Sequence, residues 1–177
     1  MDKQTEEILQ KIEEAEYVLV GLGQEFDMEF FLQSREDYRR IREQLQQQNV
    51  LWLLPYVEEQ FRRQYLPEME AEIEKGLQKL AKVLEKKSYF VVSSSLNHKL
   101  AEVPWKKMLL KKERFVAPCG DWTKKQCPDG CEEGIQTVTE ADEEQLQESF
   151  KKLQTNGFSV PDLGKCPKCG KKLVLNN

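Results

Sequence analysis

The sequence predicts an α/β fold: a truncated, Rossmann-like, three-layer parallel sheet with a helical insertion and a small four-cysteine zinc-binding module. Two observations support this prediction. Short runs that are wholly apolar, residues 17–20 and 89–92, alternate with long helical patterns, which is typical of parallel strands buried on both faces. Two close pairs of cysteines then follow in the last third of the chain, and such pairs are typical of structural zinc sites.

The N-terminal half is predicted to contain a helix, a strand and a long helical segment. Residues 4–15 are predicted to form an amphipathic helix, because apolar residues recur on one face and glutamates on the other. The strand over residues 17–20 is expected to be central in its sheet and buried on both faces. Residues 24–87 are predicted to be almost entirely helical, with Pro55 and Pro67 in the first turns of two helices.

The C-terminal half supplies two more strands and one more helix. Residues 89–92 and 114–117 are the second and third predicted strands. A helix is predicted to begin at Thr139, where Asp142 stands three residues further on and completes a capping box. The apolar stripe of that helix consists of Leu146, Phe150 and Leu153.

We expect two domains. Residues 1–118 are predicted to be an α/β domain of the nucleotide-binding type, with the helical insertion at about 24–87. Residues 119–177 are predicted to be a zinc-ribbon-like module. A chain of 177 residues is long enough for one domain with a core and a small appended module.

The cysteine spacing is the most specific signal in the chain. Cys127-Pro-Asp-Gly-Cys131 and Cys166-Pro-Lys-Cys169-Gly170 each place two thiols on a tight turn, so that four sulfurs can converge on one ion. Proline and glycine supply the turn chemistry. Two disulfides or free buried thiols are the alternatives. A closed site of four thiolates is structural rather than catalytic, and it implies one zinc per chain.

Composition narrows the class of protein. Charged residues make up 33% of the chain and the net charge is −4, which gives no basic footprint for nucleic acid. No apolar stretch approaches the roughly 20 residues of a membrane span, and the N-terminus lacks the pattern of a signal peptide. Thiols used as metal ligands fit a reducing compartment. We therefore expect a cytoplasmic protein that binds neither nucleic acid nor membrane.

Three loops follow the predicted parallel strands, where open sheets bind their ligands. Gly21 and Gly23 can let backbone approach a phosphate, although a tight turn explains the same residues. In the second loop the candidates for nucleotide binding are Ser93, Ser95 and Asn97, followed by the lone histidine, His98.

Cys119 lies in the third loop, outside both cysteine pairs. As a nucleophile it would need a depressed pKa and a nearby base, so a buried, inert thiol is the expected case. Cys119, Asn97 and His98 are the weak catalytic candidates, and no catalytic residue is assigned.

The order of these segments resembles the sirtuins, the NAD-dependent protein deacylases. Residues 17–23 read Tyr-Val-Leu-Val-Gly-Leu-Gly where the family has a strand running into Gly-Ala-Gly. Residues 90–98 stand where a strand leads into Thr-Gln-Asn-Ile-Asp-Gly, and residues 115–120, Phe-Val-Ala-Pro-Cys-Gly, where a strand leads into His-Gly. Residues 166–173 match the closing Cys-Pro-x-Cys-Gly-x-x-Leu pattern. The resemblance implies a Rossmann-like fold, NAD or ADP-ribose as ligand, and structural zinc.

The departures from the family pattern imply loss of its chemistry. Cys119 stands in place of the histidine that acts as general base, and Ser95 and Asn97 replace the asparagine and aspartate that position ribose and nicotinamide. Residues 24–32 do not resemble the family's Ser-Gly-Ile-Pro-Asp-Phe-Arg segment. The sequence stops at Asn177, about where the remaining sheet strands of the family would follow.

Three functions remain open at this point. The first is a sirtuin-like, catalytically inactive or altered domain that binds NAD or ADP-ribose. The second is an active NAD-dependent protein deacylase or ADP-ribosyltransferase. The third is a zinc-stapled protein-interaction module with no nucleotide. A protein partner or a homodimer is also expected at an exposed edge of the short sheet.

Overall fold

The computed structural model describes residues 3–23, 29–95 and 112–176. Within those ranges the chain forms six α-helices and six strands, and the strands make two separate three-stranded sheets. The mixed α/β class is therefore confirmed. The described part of the chain contains no helix long and apolar enough to cross a membrane.

The first sheet is parallel and contains the three strands predicted from the sequence. Its strands are β1 (Tyr17–Leu22), β2 (Ser88–Ser93) and β3 (Phe115–Val116), in the spatial order β1-β2-β3. In the register, Leu22 lies beside Ser93 and Val92 lies beside Val116. All three strands therefore end at the same border of the sheet.

The prediction that the first strand is central and buried on both faces is wrong. Strand β1 pairs only with β2 among the described strands, so it is an edge strand. Side chains alternate along it, with Leu22 buried and Tyr17 and Leu19 72% and 75% exposed. A continuous apolar run does not reveal that only one face of its sheet is packed, because the polar residues that normally mark the open face are missing.

The helices of the N-terminal half are α1 to α5. They comprise α1 (Lys3–Glu14), α2 (Glu29–Gln33), α3 (Glu36–Gln47), α4 (Leu54–Tyr65) and α5 (Pro67–Leu84). Pro55 and Pro67 lie in the first turns of α4 and α5, as predicted. A proline is tolerated there because the N–H that it lacks has no partner within the helix. The described part of the predicted helical segment is thus helical, while residues 24–28 lie outside the described ranges.

The second sheet belongs to the cysteine-rich part and was not predicted. Its strands are β4 (Asp121–Gln126), β5 (Gln136–Thr137) and β6 (Val174–Asn176), and β4 pairs antiparallel with both neighbours. Helix α6 (Glu140–Gln154) connects the two halves of the module. The predicted capping box at Thr139 and Asp142 is confirmed, and so is the buried stripe of Leu146, Phe150 and Leu153.

The buried apolar residues of the described chain form two separate hydrophobic cores. The smaller core packs α5 against one face of the parallel sheet and contains Leu22, Leu77, Ala81, Leu84, Tyr89 and Val91. The larger core joins α3, α4 and α6 to the antiparallel sheet. Helices α2, α3 and α4 of the predicted insertion therefore pack on the cysteine-rich module, although the sequence assigned them to the first domain, while α5 packs under the parallel sheet. The larger core includes Leu32, Tyr38, Ile41, Leu45, Phe61, Trp122, Phe150, Leu175 and the thiols Cys127 and Cys166.

Buried charges connect elements within and between these cores. Arg62 on α4 is 1% exposed and lies 3.0 Å from Glu59 on the same helix. Its Nε atom lies 3.2 Å from a carboxylate oxygen of Glu70, near the start of α5. Because charged groups are stable away from water only when they are paired, this arrangement specifies how α4 and α5 meet.

A second buried ion pair ties the capping box to the antiparallel sheet. Lys125 on β4 donates to both carboxylate oxygens of Asp142, at 3.0 and 2.8 Å, and to the carbonyl oxygen of Leu163 at 2.9 Å. Burial alone would raise the pKa of Asp142. Its hydrogen bonds with Lys125 and Thr139 instead hold that pKa below the ordinary value. The pair therefore joins α6 to the sheet at the same residue that caps the helix.

The larger core depends on Phe61, whose ring packs edge-on against Tyr38 at 5.5 Å and Phe150 at 5.8 Å, between centroids. Phe61→Ala is expected to lower the free energy of unfolding by about 3–5 kcal/mol, because it removes a ring that three helices share. Urea denaturation followed by circular dichroism measures the loss. Phe31→Ala is the matched control, since Phe31 is 48% exposed and its removal should cost about 1 kcal/mol or less. Equal losses in the two variants would contradict this account of the core.

Candidate functional site

The four cysteines of the predicted quartet meet at one point. The sulfur atoms of Cys127, Cys131, Cys166 and Cys169 all lie within 4.8 Å of one another. A zinc ion with Zn–S bonds of about 2.3 Å in a tetrahedron would hold its sulfurs about 3.8 Å apart. The cluster can therefore hold a metal ion such as zinc with little rearrangement. The Sγ atoms of Cys127 and Cys169 are already 3.5 Å apart.

Two similar turns aim these sulfurs. In the first, the N–H of Gly130 donates to the carbonyl oxygen of Cys127 at 3.0 Å, and in the second the N–H of Gly170 donates to that of Cys166 at 2.9 Å. Gly130 and Gly170 have φ angles of 72° and 74°, a left-handed conformation that glycine adopts without steric cost. The sequence signal, a glycine within or directly after each cysteine pair, reflects this backbone requirement.

The surroundings of the cluster favour the thiolate form at Cys127 and disfavour it at Cys131. Burial alone would raise the pKa of the Cys127 thiol. The backbone N–H groups of Asp129 and Cys131, together with neighbouring thiols, instead lower it to about 7. Hydrogen bonding with Cys127 and burial raise the pKa of Cys131 to about 12. Four thiolates so close together repel one another, and a divalent cation at their centre removes that repulsion.

The geometry favours a metal over the two alternatives considered for these cysteines. All five cysteines of the chain lie in the described ranges and none is bridged to another. Four of them surround one point rather than forming two separate pairs. A site closed by four sulfurs leaves no position for a substrate, so its chemistry is that of a structural crosslink.

The cluster lies at the border of the larger core. Cys127 and Cys166 are buried and belong to that core, whereas Cys169 is exposed. Two surface ion pairs also join the turns, with Lys171 2.7 Å from Asp129 and Lys168 3.3 Å from Glu133. Such exposed pairs contribute little to stability, so the sulfurs and the core determine how the turns meet. The lysines themselves are more than half exposed.

The loops after the parallel strands come together at one border of the first sheet. The N–H of Ser94 donates to the carbonyl oxygen of Leu22 at 2.9 Å and thereby ties the second loop to the first. Ser93 and Ser95 are buried, and the N–H of Ser95 donates to the Ser93 hydroxyl at 3.3 Å. These two serines therefore shape the loop from within.

The structure describes three of the other predicted site residues, and two lie outside its described ranges. Gly21 lies at the open face of β1, and a Cβ atom there would meet nothing within 4 Å. Gly23 follows the strand and is half-buried. Cys119 is exposed, in the turn between β3 and β4, so the expectation of a buried thiol is wrong. Asn97 and His98 lie outside the described residues.

A groove on the helical part was not anticipated from the sequence. It has a volume of about 590 Å³ and lies at the start of α3, lined by Ser34, Arg35, Glu36, Asp37 and Arg40. Arg35 lies 3.4 Å from the centroid of the Tyr65 ring and 2.8 Å from an Asp37 oxygen. That hydrogen bond holds the pKa of Asp37 below its ordinary value. Because the groove is open and Arg35 is engaged within the protein, we assign it no function.

Comparison with known proteins does not place the chain in a family. No protein-family model matches it, and no curated protein matches it. The sirtuin resemblance therefore remains an expectation based on the order of its motifs.

Removal of the metal is expected to unfold more than the cysteine-rich module. Because Cys127 and Cys166 belong to the larger core, a strong chelator should remove amide protection from residues 32–66 as well as 121–176. Residues 73–93, in and around the smaller core, should keep theirs. Hydrogen exchange with mass spectrometry, before and after chelation, measures both effects. Loss confined to residues 121–176 would show that the helices are stable without the metal centre.

Gly134 is expected to be required for metal binding although it is not a ligand. An added Cβ would lie 2.5 Å from the Cys127 Cβ and 2.9 Å from the Cys127 backbone nitrogen, closer than real contacts allow. Gly134→Ala should therefore shift Cys127 and weaken zinc binding about tenfold or more, measured by competition with a chromophoric chelator. Gly76→Ala is the control, because Gly76 has open space around it within α5. An unchanged zinc affinity in Gly134→Ala would contradict this prediction.

Proposed function

We propose that this chain is a zinc-stapled, sirtuin-like domain that binds NAD or ADP-ribose without catalysing deacylation. The observation that carries the proposal is the in-register ending of three parallel strands, which brings the loops after β1, β2 and β3 to one border. Open parallel sheets bind nucleotides at this border. The order of strand, serine loop, strand and cysteine quartet supports the same proposal.

Zinc has a structural role in this proposal. The four thiolates of the quartet would hold it, and the ion would supply a crosslink between the turn after β4 and the turn before β6. The turn that contains Cys119 directly precedes β4. The crosslink thereby stabilises the antiparallel sheet, which begins directly after the third loop, the one that contains Cys119.

The nucleotide would meet backbone rather than buried side chains. Gly21 has open space where a side chain would stand, and Gly23 continues the chain beyond the strand. Absence of a Cβ lets a phosphate or ribose approach the main chain closely. Ser93 and Ser95 are buried, so we assign them the role of holding the loop in shape.

Loss of deacylase chemistry follows from the residue at the place of the general base. Cys119 is an exposed thiol there, and general-base catalysis contributes about 10²–10⁴-fold to a rate when a suitable group is positioned. A thiol does not replace imidazole in that role without activation. The altered enzyme, a deacylase or ADP-ribosyltransferase, is the competing proposal. It requires that Cys119→Ser abolish release of nicotinamide from NAD.

A protein-interaction function is the second candidate, and the free edge of β1 favours it. This strand is six residues long, carries no charge and has no partner on its outer side among the described strands. Proline, lysine and bulges normally protect such edges, and β1 has none of them. A partner strand or a second copy could extend the sheet there.

Calorimetric titration of the zinc-loaded protein with NAD and with ADP-ribose tests the proposal. We expect saturable binding in the micromolar range and no release of nicotinamide. Gly21→Ala should weaken binding by about tenfold, equivalent to 1.4 kcal/mol, while leaving thermal stability unchanged, because the new methyl group meets only the ligand.

Gly76→Ala serves again as the control and should bind as the wild type does. No heat at millimolar nucleotide would reject nucleotide binding and favour the interaction module. Nicotinamide release that depends on Cys119 would instead establish the altered enzyme.

A further inference from the structure

The four sulfurs of the cysteine cluster differ in how far solvent reaches them. Cys127 and Cys166 are buried in the larger core. Cys131 is half-buried, and Cys169 is exposed. Oxidants attack accessible thiolates, whereas buried structural cysteines are inert. Cys169 is therefore the sulfur of this cluster that a dissolved oxidant meets first.

Cys127 is placed to react with an oxidised Cys169. The Sγ atoms of these two residues are 3.5 Å apart, although the residues lie on different turns. Because a disulfide bond is about 2.05 Å long, an approach of about 1.5 Å would join them. A thiol that coordinates zinc is deprotonated, so both sulfurs are thiolates in the loaded site. An accessible thiolate beside a second thiolate is the arrangement of redox-sensing cysteine pairs.

The packing around this pair assigns the movement to Cys169. Gly134 lies so close to Cys127 that an added Cβ would be 2.5 Å from the Cys127 Cβ atom. Cys127 is thus held in place by its neighbours in the core. Cys169 lies between Lys168 and Lys171, whose side chains are 60% and 58% exposed. The approach therefore displaces an exposed turn and leaves the core packed.

We propose that hydrogen peroxide converts the Cys127 and Cys169 thiolates into a disulfide, which frees the zinc ion and takes over its role as the crosslink. The Cys169 sulfur attacks the peroxide, whose O–O bond breaks, and the products are a sulfenic acid and a hydroxide ion. The Cys127 thiolate then attacks that sulfur, so that the S–S bond forms and a second hydroxide ion leaves. The two sulfurs together lose two electrons, which reduce the peroxide to two hydroxide ions.

The disulfide removes the metal and still keeps the two turns together. Cys131 and Cys166 would supply only two of the four ligands that a structural zinc site needs. The new bond joins residues 42 positions apart and links the turn after β4 to the turn before β6, as the metal would. Such a link stabilises a fold by restricting the unfolded chain. Oxidation and chelation should therefore affect the larger core differently, although both remove zinc.

Peroxide treatment of the zinc-loaded protein, with a chromophoric chelator present, tests this exchange of crosslinks. The exchange rests on the zinc site of the proposed function and is independent of nucleotide binding. One zinc per chain should be lost, and mass spectrometry should find the Cys127 peptide joined to the Cys169 peptide. Trypsin cuts between the cysteines of the second pair, after Lys168, and an Asp-specific protease cuts between those of the first, before Asp129. The two digests together identify which sulfurs are bonded.

Cys119→Ser is the matched control, because it removes an exposed thiol that lies outside the cluster. This variant should release zinc at the rate of the wild type. Slower release would make Cys119 the thiol that reacts with peroxide and would overturn the proposal.

Hydrogen exchange separates replacement of the crosslink from its loss. The oxidised, zinc-free protein should retain amide protection in residues 32–66 and 121–176. A thiol reductant, added while the chelator is present, should then remove that protection. Equal protection in the oxidised and the reduced zinc-free protein would show that the disulfide does not take over the role of the metal.

The remaining outcomes distinguish this disulfide from the zinc site on which it rests. Disulfides within each cysteine pair, sulfinic acids without a disulfide, or zinc that stays bound under peroxide would each overturn the exchange alone. A protein that does not bind zinc at all would overturn both the structural zinc and the exchange.

Discussion

The convergence of four sulfurs on one point is the constraint on which the larger part of this structure depends. Two of the sulfurs, on Cys127 and Cys166, are also members of the hydrophobic core that α3, α4 and α6 share with the antiparallel sheet. A metal bound at this point would therefore couple its binding to the packing of that core, because the same two residues belong to both.

The local signals in the sequence predicted most of the elements, because each had a short-range physical cause. Cysteine pairs on glycine turns, prolines in first helical turns and the capping box at Thr139 all act within a few residues of themselves. Each cysteine pair was predictable for the same reason, and their meeting followed from the four ligands that a zinc site needs. Strand β4 was not, since Trp122 and Lys125 are both buried along it and interrupt the two-residue alternation that identifies a strand.

Long-range packing was less accessible to sequence reasoning. An apolar run such as residues 17–22 is equally consistent with a central strand and with an edge strand whose outer face is uncovered. Similarly, helical periodicity shows that α3 and α4 have apolar faces, but it does not show which partner they bury them against. The assignment of those helices to the cysteine-rich core depends on contacts between residues more than 80 positions apart, such as Phe61 with Phe150.

The buried ion pair between Arg62 and Glu70 makes α5 the helix that connects α4 with the parallel sheet. Glu70 lies near one end of this 18-residue helix, and Leu77, Ala81 and Leu84 lie under the parallel sheet at the other. The helix is about 27 Å long and behaves as a stiff rod. The helix therefore joins the two cores, with the charges of Arg62 and Glu70 placing one end against α4 and apolar contacts holding the parallel sheet at the other.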